Sequence, residues 1–249
     1  MNPLGKTRTS IQANHAFIAP DGHVKASLPN WEKTQGVILI SPQMRQLPRF
    51  SQYLAYMDIG GTSGLPLDGV QRFLYVLNGS IDATINNEEQ SLTEGHFAYI
   101  PANIPHQLKA REATTLLIFE KKYIPSQDTN PHVTVHIGNA WAGEGVPFMG
   151  DEAARLRTLL PTDIQYDMAI NLFTFQSGAV LPFVETHIME HGLYLLEGQG
   201  IYRLDDAYYP IQAGDVIWMG AYCPQWFCAF GKTQSTYIYY KDMNRDPLS

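Results

Sequence analysis

The sequence predicts an all-β protein built from two tandem copies of one small barrel or jelly roll, with few short helices. Charged residues make up 16% of the 249 residues and aromatic residues 12%, with 20 glycines and 16 prolines. Few charges, many aromatics and frequent turn formers favour short strands over helical bundles, which need runs of Ala, Glu, Lys and Leu. The second observation is an internal repeat, which divides the chain into two similar halves.

The repeat matches residues 75–108 with residues 194–227, at an offset of 119 positions and without a gap. Identical residues recur at matched positions: Tyr75 and Tyr194, Leu77 and Leu196, Gly79 and Gly198, Gly95 and Gly214, Pro105 and Pro224. The same offset joins Lys122 to Lys241, and each lysine closes a strand-like run. We therefore expect two domains: residues 1–145, which include an N-terminal arm, and residues 146–249.

Within each copy, short apolar runs separated by Gly, Asn and Asp predict strands joined by hairpin turns. The first copy contains Val37–Ile40, Phe73–Leu77, Ile81–Ile85, Phe97–Ile100 and Thr115–Phe119. The second contains Met168–Phe175, Phe183–Ile188, Leu193–Leu196, Ile201–Leu204, Val216–Met219 and Thr236–Tyr240. Only Asp151–Leu160 has helical composition, with acidic residues in its first turn and Pro161 after its end, and it predicts a helix near the linker.

Charge and targeting signals exclude several classes of protein. A net charge of −7 does not supply the basic face that nucleic-acid binding requires. Two cysteines are too few for a disulfide scaffold, and neither an apolar leader nor a membrane span is visible. We therefore expect a cytoplasmic protein whose partner is a small-molecule substrate rather than nucleic acid or a membrane. The low charge content favours a homo-oligomer.

Candidate metal ligands gather in the second copy. Glu185 and His187 lie two residues apart, so they share one face of the predicted strand Phe183–Ile188, and His191 follows at the next turn. Gln225 comes from a strand about one hairpin further on. Two imidazoles, a carboxylate and an amide oxygen suit a divalent metal, and the oxygen ligands favour Mn or Fe over zinc. Two alternatives are a zinc-binding histidine pair on a helix, which the β-rich neighbourhood disfavours, and ordinary polar residues at a strand end.

The spacing resembles the cupin superfamily, whose first motif reads G-x5-H-x-H-x3/4-E-x6-G and whose second reads G-x5-P-x-G-x2-H-x3-N. The stretch Glu185-x-His187-x3-His191-x6-Gly198 fits the frame of the first motif, with Glu at the first His position and His at the Glu position. Gln225 stands at the His position of the second motif. The resemblance implies a bicupin with a metal site in the second barrel.

The first copy keeps the spacing of the cupin motifs but not the residues that would bind a metal. Its second motif is closer to the superfamily pattern, through Gly95, Pro101, Asn103 and His106. The positions that correspond to Glu185, His187 and His191 carry Pro66, Asp68 and Arg72. We therefore expect the N-terminal barrel to be metal-free and structural.

The altered donor set and the strings EGQGIYRL, AGDVIWMG and YYKDMNRDPL resemble the (S)-ureidoglycine aminohydrolase family of purine degradation. Membership implies a manganese-dependent enzyme that hydrolyses (S)-ureidoglycine to (S)-ureidoglycolate and ammonia. By matched positions it implies four Mn²⁺ ligands: Glu185, His187, His191 and Gln225. It implies Lys241 as the active-site lysine, and a substrate pocket faced by Tyr202, Tyr237, Gln225 and Lys241.

Other interpretations of the same residues stay open. A different bicupin metalloenzyme, an oxygenase or an isomerase, and a non-catalytic cupin that binds a small ligand are the alternative functions. Without the resemblance, Lys241 is a solvated charge at a strand end, as its predicted partner Lys122 is. Tyr202 and Tyr237 are then ordinary barrel aromatics.

Overall fold

A computed structural model of the chain describes residues 7–44, 48–127 and 133–246. These residues form two compact units. The first unit runs from Val24 to Ala142, and the second combines the residues up to His23 with those from Gly143 onward. Strands pair antiparallel in both. The predicted all-β class is confirmed.

Strand labels follow the chain. β1 is Ser10–Ile11 and β2 is His15–Ile18, followed by a 3₁₀ turn at Pro20–Gly22. The first unit contains β3 Ala26–Ser27, β4 Glu32–Ile40, β5 Ser51–Thr62, β6 Val70–Asn78, β7 Ser80–Ile85, β8 Glu88–Thr93, β9 His96–Ile100, β10 His106–Ala110, β11 Thr114–Lys122 and β12 His136–Asn139. The second continues with β13 Val146–Phe148, β14 Asp151–Thr158, β15 Met168–Phe175, β16 His191–Glu197, β17 Gln199–Leu204, β18 Ala207–Gln212, β19 Val216–Met219, β20 Gln225–Ala229 and β21 Ser235–Asp242.

The first unit is a single curled sheet. Its strands follow the order β12-β9-β6-β11-β5-β10-β7-β8, with β4 on β5 and β3 on β4. Strand β5 is long enough to pair with β11 and β4 and, near its end, with β10. The curl encloses a core of buried side chains that includes Tyr53, Leu74, Ile81, Leu108 and Ile118.

The second unit is a two-sheet jelly roll. An eight-stranded sheet in the order β1-β2-β19-β16-β21-β15-β14-β13 faces the three-stranded sheet β18-β17-β20. Side chains of both sheets meet in one core, as the 5.6 Å between the ring centroids of Phe227 on β20 and Tyr237 on β21 shows. Burial of such large aromatic surfaces is the main stabilising term of a fold of this kind.

The two units repeat the same six strands, β6–β11 and β16–β21. Each unit enters its second repeated strand through a glycine at positive φ, Gly79 at 85° and Gly198 at 80°. A β-carbon on Gly79 would lie 2.6 Å from the carbonyl oxygen of Ala113, and one on Gly198 would collide with the carbonyl oxygen of Gln234. Only glycine fits these turns, which explains why it recurs in both copies.

The offset between the copies changes before the last strand. Strands β10 and β20 end at Ala110 and Ala229, which are 119 positions apart, but β11 and β21 begin at Thr114 and Ser235, which are 121 apart. The turn after β20 is two residues longer than the turn after β10. The gapless match therefore ends at this turn.

This longer turn corrects the predicted partner of Lys241. Lys241 lies opposite His191 on the neighbouring strand. In the first unit the residue opposite Arg72, the counterpart of His191, is Glu120. Glu120, and not Lys122, is therefore the structural counterpart of Lys241.

The N-terminal arm lies in a different unit from the one predicted. We expected it within residues 1–145, but β2 pairs with β19 of the second unit, with Phe17 opposite Ile217. Arg8 adds an ion pair with Asp215, whose side chain is buried, at 2.7 Å. The reason is that β2 is buried along its whole length and covers the otherwise open edge of β19.

The predicted helix Asp151–Leu160 is wrong, since residues Asp151–Thr158 form β14. Strand β14 pairs with β15, with Ala154 opposite Phe175, and Ala154 is buried in the core. Pairing with a sheet edge outweighs the helical propensity of this segment. The described helical structure consists of the turn Pro20–Gly22, and no described helix is long and apolar enough to cross a membrane.

Ten of the eleven predicted strands lie within observed strands, and Phe183–Ile188 does not. Within this segment Glu185 forms an isolated bridge with Gln225 of β20, and before it Val180 forms another with Cys228. Pro182 lies between the two bridges and interrupts the ladder there, because proline has no amide hydrogen to donate. The argument that Glu185 and His187 share one strand face therefore fails, although both side chains reach the same cavity.

Candidate functional site

A cavity of about 180 Å³ lies inside the second unit, between its two sheets. All seven site residues predicted from the sequence line it: Glu185, His187, His191, Tyr202, Gln225, Tyr237 and Lys241. The apolar part of the wall comes from Phe148, Leu156, Phe173 and Leu193. The fold thus gathers residues from β16, β17, β20, β21 and the segment before β16 at one point.

Two neutral imidazoles form one side of the cavity. The rings of His187 and His191 lie 4.7 Å apart between centroids. Burial lowers the pKa of both, with the charge of Lys241 acting in the same direction, so both rings are neutral near pH 7. The backbone next to His191 is tied to β21, because the Glu190 amide donates to the Asp242 carboxylate at 2.6 Å.

One nitrogen of each ring has a lone pair that could bind a metal. The ring nitrogen Nδ1 of His187 lies 3.0 Å from the carbonyl oxygen of Met189, so it carries the hydrogen and leaves Nε2 with a lone pair. His191 Nε2 is buried and has no hydrogen-bond partner among the described residues. A buried polar atom left without a partner is costly, and a metal ligand is one role that accounts for it.

Gln225 stands beside the imidazoles as the first residue of β20. Its backbone exchanges hydrogen bonds of 2.8 and 2.9 Å with Glu185, which fixes the two residues side by side. Its side-chain nitrogen lies 2.8 Å from His187 Nε2, and the Tyr202 hydroxyl donates to its side-chain oxygen at 3.1 Å. The amide is thereby held at the same point as the two rings.

Glu185 and Lys241 supply opposite charges to this cavity. Burial raises the pKa of the Glu185 carboxyl, and the nearby Lys241 charge opposes that rise. Burial lowers the pKa of Lys241, and Glu185 and Asp242 oppose that fall. The two groups therefore share one electrostatic environment, in which an anionic substrate would meet the lysine.

The donor set fits a divalent metal when the amide is counted. In the ranges that the structure describes, no three His, Cys, Asp or Glu side chains are close enough together to hold a metal by themselves. A metal at the two imidazoles would therefore need the Gln225 amide as its third donor, while Glu185 also lines the cavity wall. Nitrogen and oxygen donors of this mixture suit Mn²⁺ or Fe²⁺.

Three tyrosines complete the wall. Tyr202, Tyr237 and Tyr239 are buried, and burial raises the pKa of each, so they act as neutral phenols. Tyr239 is not among the residues predicted from the sequence. It lies two residues from both Tyr237 and Lys241 on β21, and the period of two along a strand would have placed it on the same face.

The first unit carries a different set at the corresponding positions. Arg72 replaces His191, His106 replaces Gln225, and Glu120 replaces Lys241. The Arg72 guanidinium donates to Glu120 at 2.7 Å and to His106 Nε2 at 2.9 Å. The Arg72 guanidinium therefore stands at the position that the His191 imidazole occupies in the second unit.

Comparison with known proteins agrees with this fold. Residues 53–120 match the cupin domain family. The chain resembles the crystal structure of protein Ylba from E. coli, with a TM-score of 0.84 and 32% identity over 96% of both chains. It also resembles Bacillus subtilis oxalate decarboxylase, a protein with Mn(II) centres, with a TM-score of 0.68, covering 92% of this chain and 78% of that one. Identity there is 14%, so this likeness shows the fold alone.

Curated relatives cover nearly the full chain. A rice protein (Oryza sativa subsp. japonica) named probable (S)-ureidoglycine aminohydrolase is 44% identical over 98% of this chain and 78% of its own length. The (S)-ureidoglycine aminohydrolase of Arabidopsis thaliana is 42% identical over 98% of this chain and 80% of its own length. The chain therefore belongs to the (S)-ureidoglycine aminohydrolase family of cupin proteins.

Proposed function

We propose that this chain hydrolyses (S)-ureidoglycine to (S)-ureidoglycolate and ammonia in purine catabolism. The observation that carries the proposal is the cavity of the second unit, where two neutral imidazoles, an amide and a lysine converge. Membership of the family supports the choice of substrate. In the reaction the bond from carbon to the amine nitrogen breaks, and water supplies the hydroxyl of the product and a proton for ammonia.

The metal that we propose for this site is Mn²⁺. His187, His191, Gln225 and Glu185 would hold it, and the unpartnered Nε2 of His191 supports this assignment. The cupin fold and a fold neighbour with Mn(II) centres support a metal cofactor in general. When bound, a divalent ion supplies Lewis acidity, which orients the substrate and activates water.

Lys241 is the residue that we assign to the substrate carboxylate. Its ammonium faces the cavity among buried phenols and apolar side chains, where a charge pair is stronger than in water. Because burial lowers its pKa, it can also give a proton to the departing amine more readily than an exposed lysine. Neutral Tyr237 offers a hydrogen bond to the same substrate.

Ammonia release from freshly generated ureidoglycine tests the proposed reaction. Protein loaded with Mn²⁺ should release ammonia and yield (S)-ureidoglycolate, and a chelator should abolish the release. Ammonia at the background rate with fully loaded protein would contradict the reaction. Consumption of oxygen by the same protein would favour an oxygenase, and tight substrate binding without turnover would favour a non-catalytic cupin.

Homo-oligomer formation and a cytoplasmic location stay predictions. Exposed apolar side chains such as Leu65, Leu67 and Ile59 are consistent with association between copies. Light scattering of the purified protein should give a mass that is a multiple of 28.0 kDa. A mass of one chain at micromolar concentration would contradict the oligomer.

A further inference from the structure

The β19–β20 turn, residues 220–224, adjoins two of the proposed metal ligands. Within the turn, the Tyr222 amide donates to the carbonyl oxygen of His187 at 2.7 Å. The last residue of the turn, Pro224, directly precedes Gln225, the first residue of β20. The turn therefore helps to place the backbone of both ligands, and a contact that holds the turn also acts on them.

Asn14, the residue before β2, holds both ends of the β19–β20 turn. At the start of the turn, the Gly220 amide donates to the Asn14 carbonyl oxygen at 2.9 Å. At its end, the Pro224 carbonyl oxygen accepts from the Asp205 amide at 2.8 Å. The Asn14 side-chain nitrogen donates to the carboxylate of this same Asp205 at 3.0 Å. Asn14 thus reaches one end through its backbone and the other end through Asp205.

The orientation of the Asn14 side chain follows from its neighbours. A carboxylate only accepts, so the amide nitrogen faces Asp205 and the amide oxygen faces His15 Nδ1, which lies 2.9 Å away. Burial lowers the pKa of His15, so the neutral ring carries its one hydrogen on Nδ1. Its Nε2 then accepts from the Tyr209 hydroxyl at 2.8 Å. Every bond in this series has a single direction, which fixes the donor that Asn14 presents to Asp205.

The first unit repeats the turn but cannot form the bond to an arm. Asn86 stands at the position of Asp205, with a φ of 50° against 55°, and its amide donates to the Pro105 carbonyl oxygen at 2.9 Å. Pro101 stands at the position of Gly220 and has no amide hydrogen to give. The amide that binds Asn14 is therefore a feature of the unit that carries the proposed metal site.

We infer that Asn14 is a positioning residue for the metal site, because it holds the β19–β20 turn and thereby the backbone of His187 and Gln225. The inference rests on the metal site proposed above. It gives the N-terminal arm a part in metal binding, although Asn14 lies outside the cavity wall. The side chain of Asn14 can be changed while its backbone bond to Gly220 is kept, which makes the role testable.

Mn²⁺ affinity, measured by titration without substrate, tests the inference. Asn14→Ala should weaken binding by about tenfold, the lower end of the usual effect of losing an outer partner of a metal ligand. Asn14→Asp should also weaken it, because two carboxylates then face each other. Adding Asp205→Asn to Asn14→Asp exchanges donor and acceptor at unchanged net charge and should recover most of the lost affinity. The turn accepts an asparagine there, since Asn86 has the same backbone conformation.

Arg8→Ala is the matched control, because Arg8 anchors the same arm at the opposite end of β19, through its 2.7 Å ion pair with Asp215. It should leave Mn²⁺ affinity unchanged. Unchanged affinity in Asn14→Ala, an equal loss in Arg8→Ala, or no recovery on adding Asp205→Asn would each overturn the role of Asn14 while the metal site stands. Wild-type protein that binds no Mn²⁺ would overturn the metal site and this inference together. Urea unfolding of each variant verifies that it is folded.

Discussion

His191 and Lys241 lie opposite each other on neighbouring strands of the second unit, at the place where Arg72 and Glu120 lie in the first. In the first unit the cation and the anion bond directly to each other, at 2.7 Å. In the second unit a neutral imidazole faces a lysine, and no internal anion neutralises that lysine by direct contact within the described chain.

The same arrangement of strands therefore carries buried polar groups that are satisfied in one unit and left open in the other. The first unit satisfies its interior charges internally, since Arg72 also donates to His106 and to the Gly64 carbonyl, both at 2.9 Å. The second leaves His191 Nε2 without a partner among the described residues and Lys241 facing a cavity. Groups left unsatisfied in a buried site are the ones available to a ligand.

Arg72→Ala should destabilise the first unit strongly. The Arg72 side chain is 1% exposed, and its removal takes the cation from the Glu120 carboxylate and the donor from His106 Nε2. Breaking a buried ion pair from one side costs about 3–5 kcal/mol of unfolding free energy. Urea unfolding measures it. As a control, Arg72→Met combined with Glu120→Gln removes both charges and should cost less; an equal or larger cost would show that packing, not charge, dominates here.

Acid should weaken the first unit through His106. Burial, helped by the Arg72 charge, lowers the pKa of His106 from 6.5 to about 4. Between these two values the unfolded chain binds a proton that the native His106 does not, so stability falls as the pH drops from 6.5 to 4 and changes no further below. The loss is at most about 3 kcal/mol.

Unfolding in urea at pH 7 and pH 4.5 measures this effect, with His106→Gln as the comparison. The variant has no imidazole to titrate, so its stability should depend less on pH over this interval. Parallel pH dependence in the two proteins would contradict the account of His106.

Lys241→Gln should reduce ammonia release by at least about a hundredfold, the lower range for loss of a general acid. Lys241 lines the cavity, whereas Lys122, its match by sequence offset, is exposed at the end of β11. Lys122→Gln is therefore the matched control and should keep full activity. Equal losses in both variants would show that the register correction misplaces the functional lysine.

The repeat and most strands could be predicted because they depend on local signals. Gly79 and Gly198 occupy turns that only glycine fits, and short apolar runs mark the strands. Prediction failed for segments whose structure depends on pairing with strands distant in the sequence. Residues Asp151–Thr158 favour a helix by composition but complete a sheet edge, and nothing local shows that β2 covers β19.

The residues that line the site could be predicted, but their arrangement could not. Ligand spacing selected His187, His191 and Gln225, and all three line the cavity, yet the strand assumed for Glu185 and His187 does not exist. The counterpart of Lys241 was missed, because two extra residues in the turn after β20 are visible only when the strands are paired. Hydrogen bonds such as Tyr202 to Gln225 likewise need coordinates.

Metal content per chain tests most directly whether the two copies share a frame while only the second holds the metal. Purified wild-type protein, His191→Ala and His106→Ala are loaded with Mn²⁺, freed of excess metal and assayed for bound manganese. We expect about one ion per chain in the wild type and in His106→Ala, and none in His191→Ala. Manganese lost in His106→Ala but kept in His191→Ala would contradict this account.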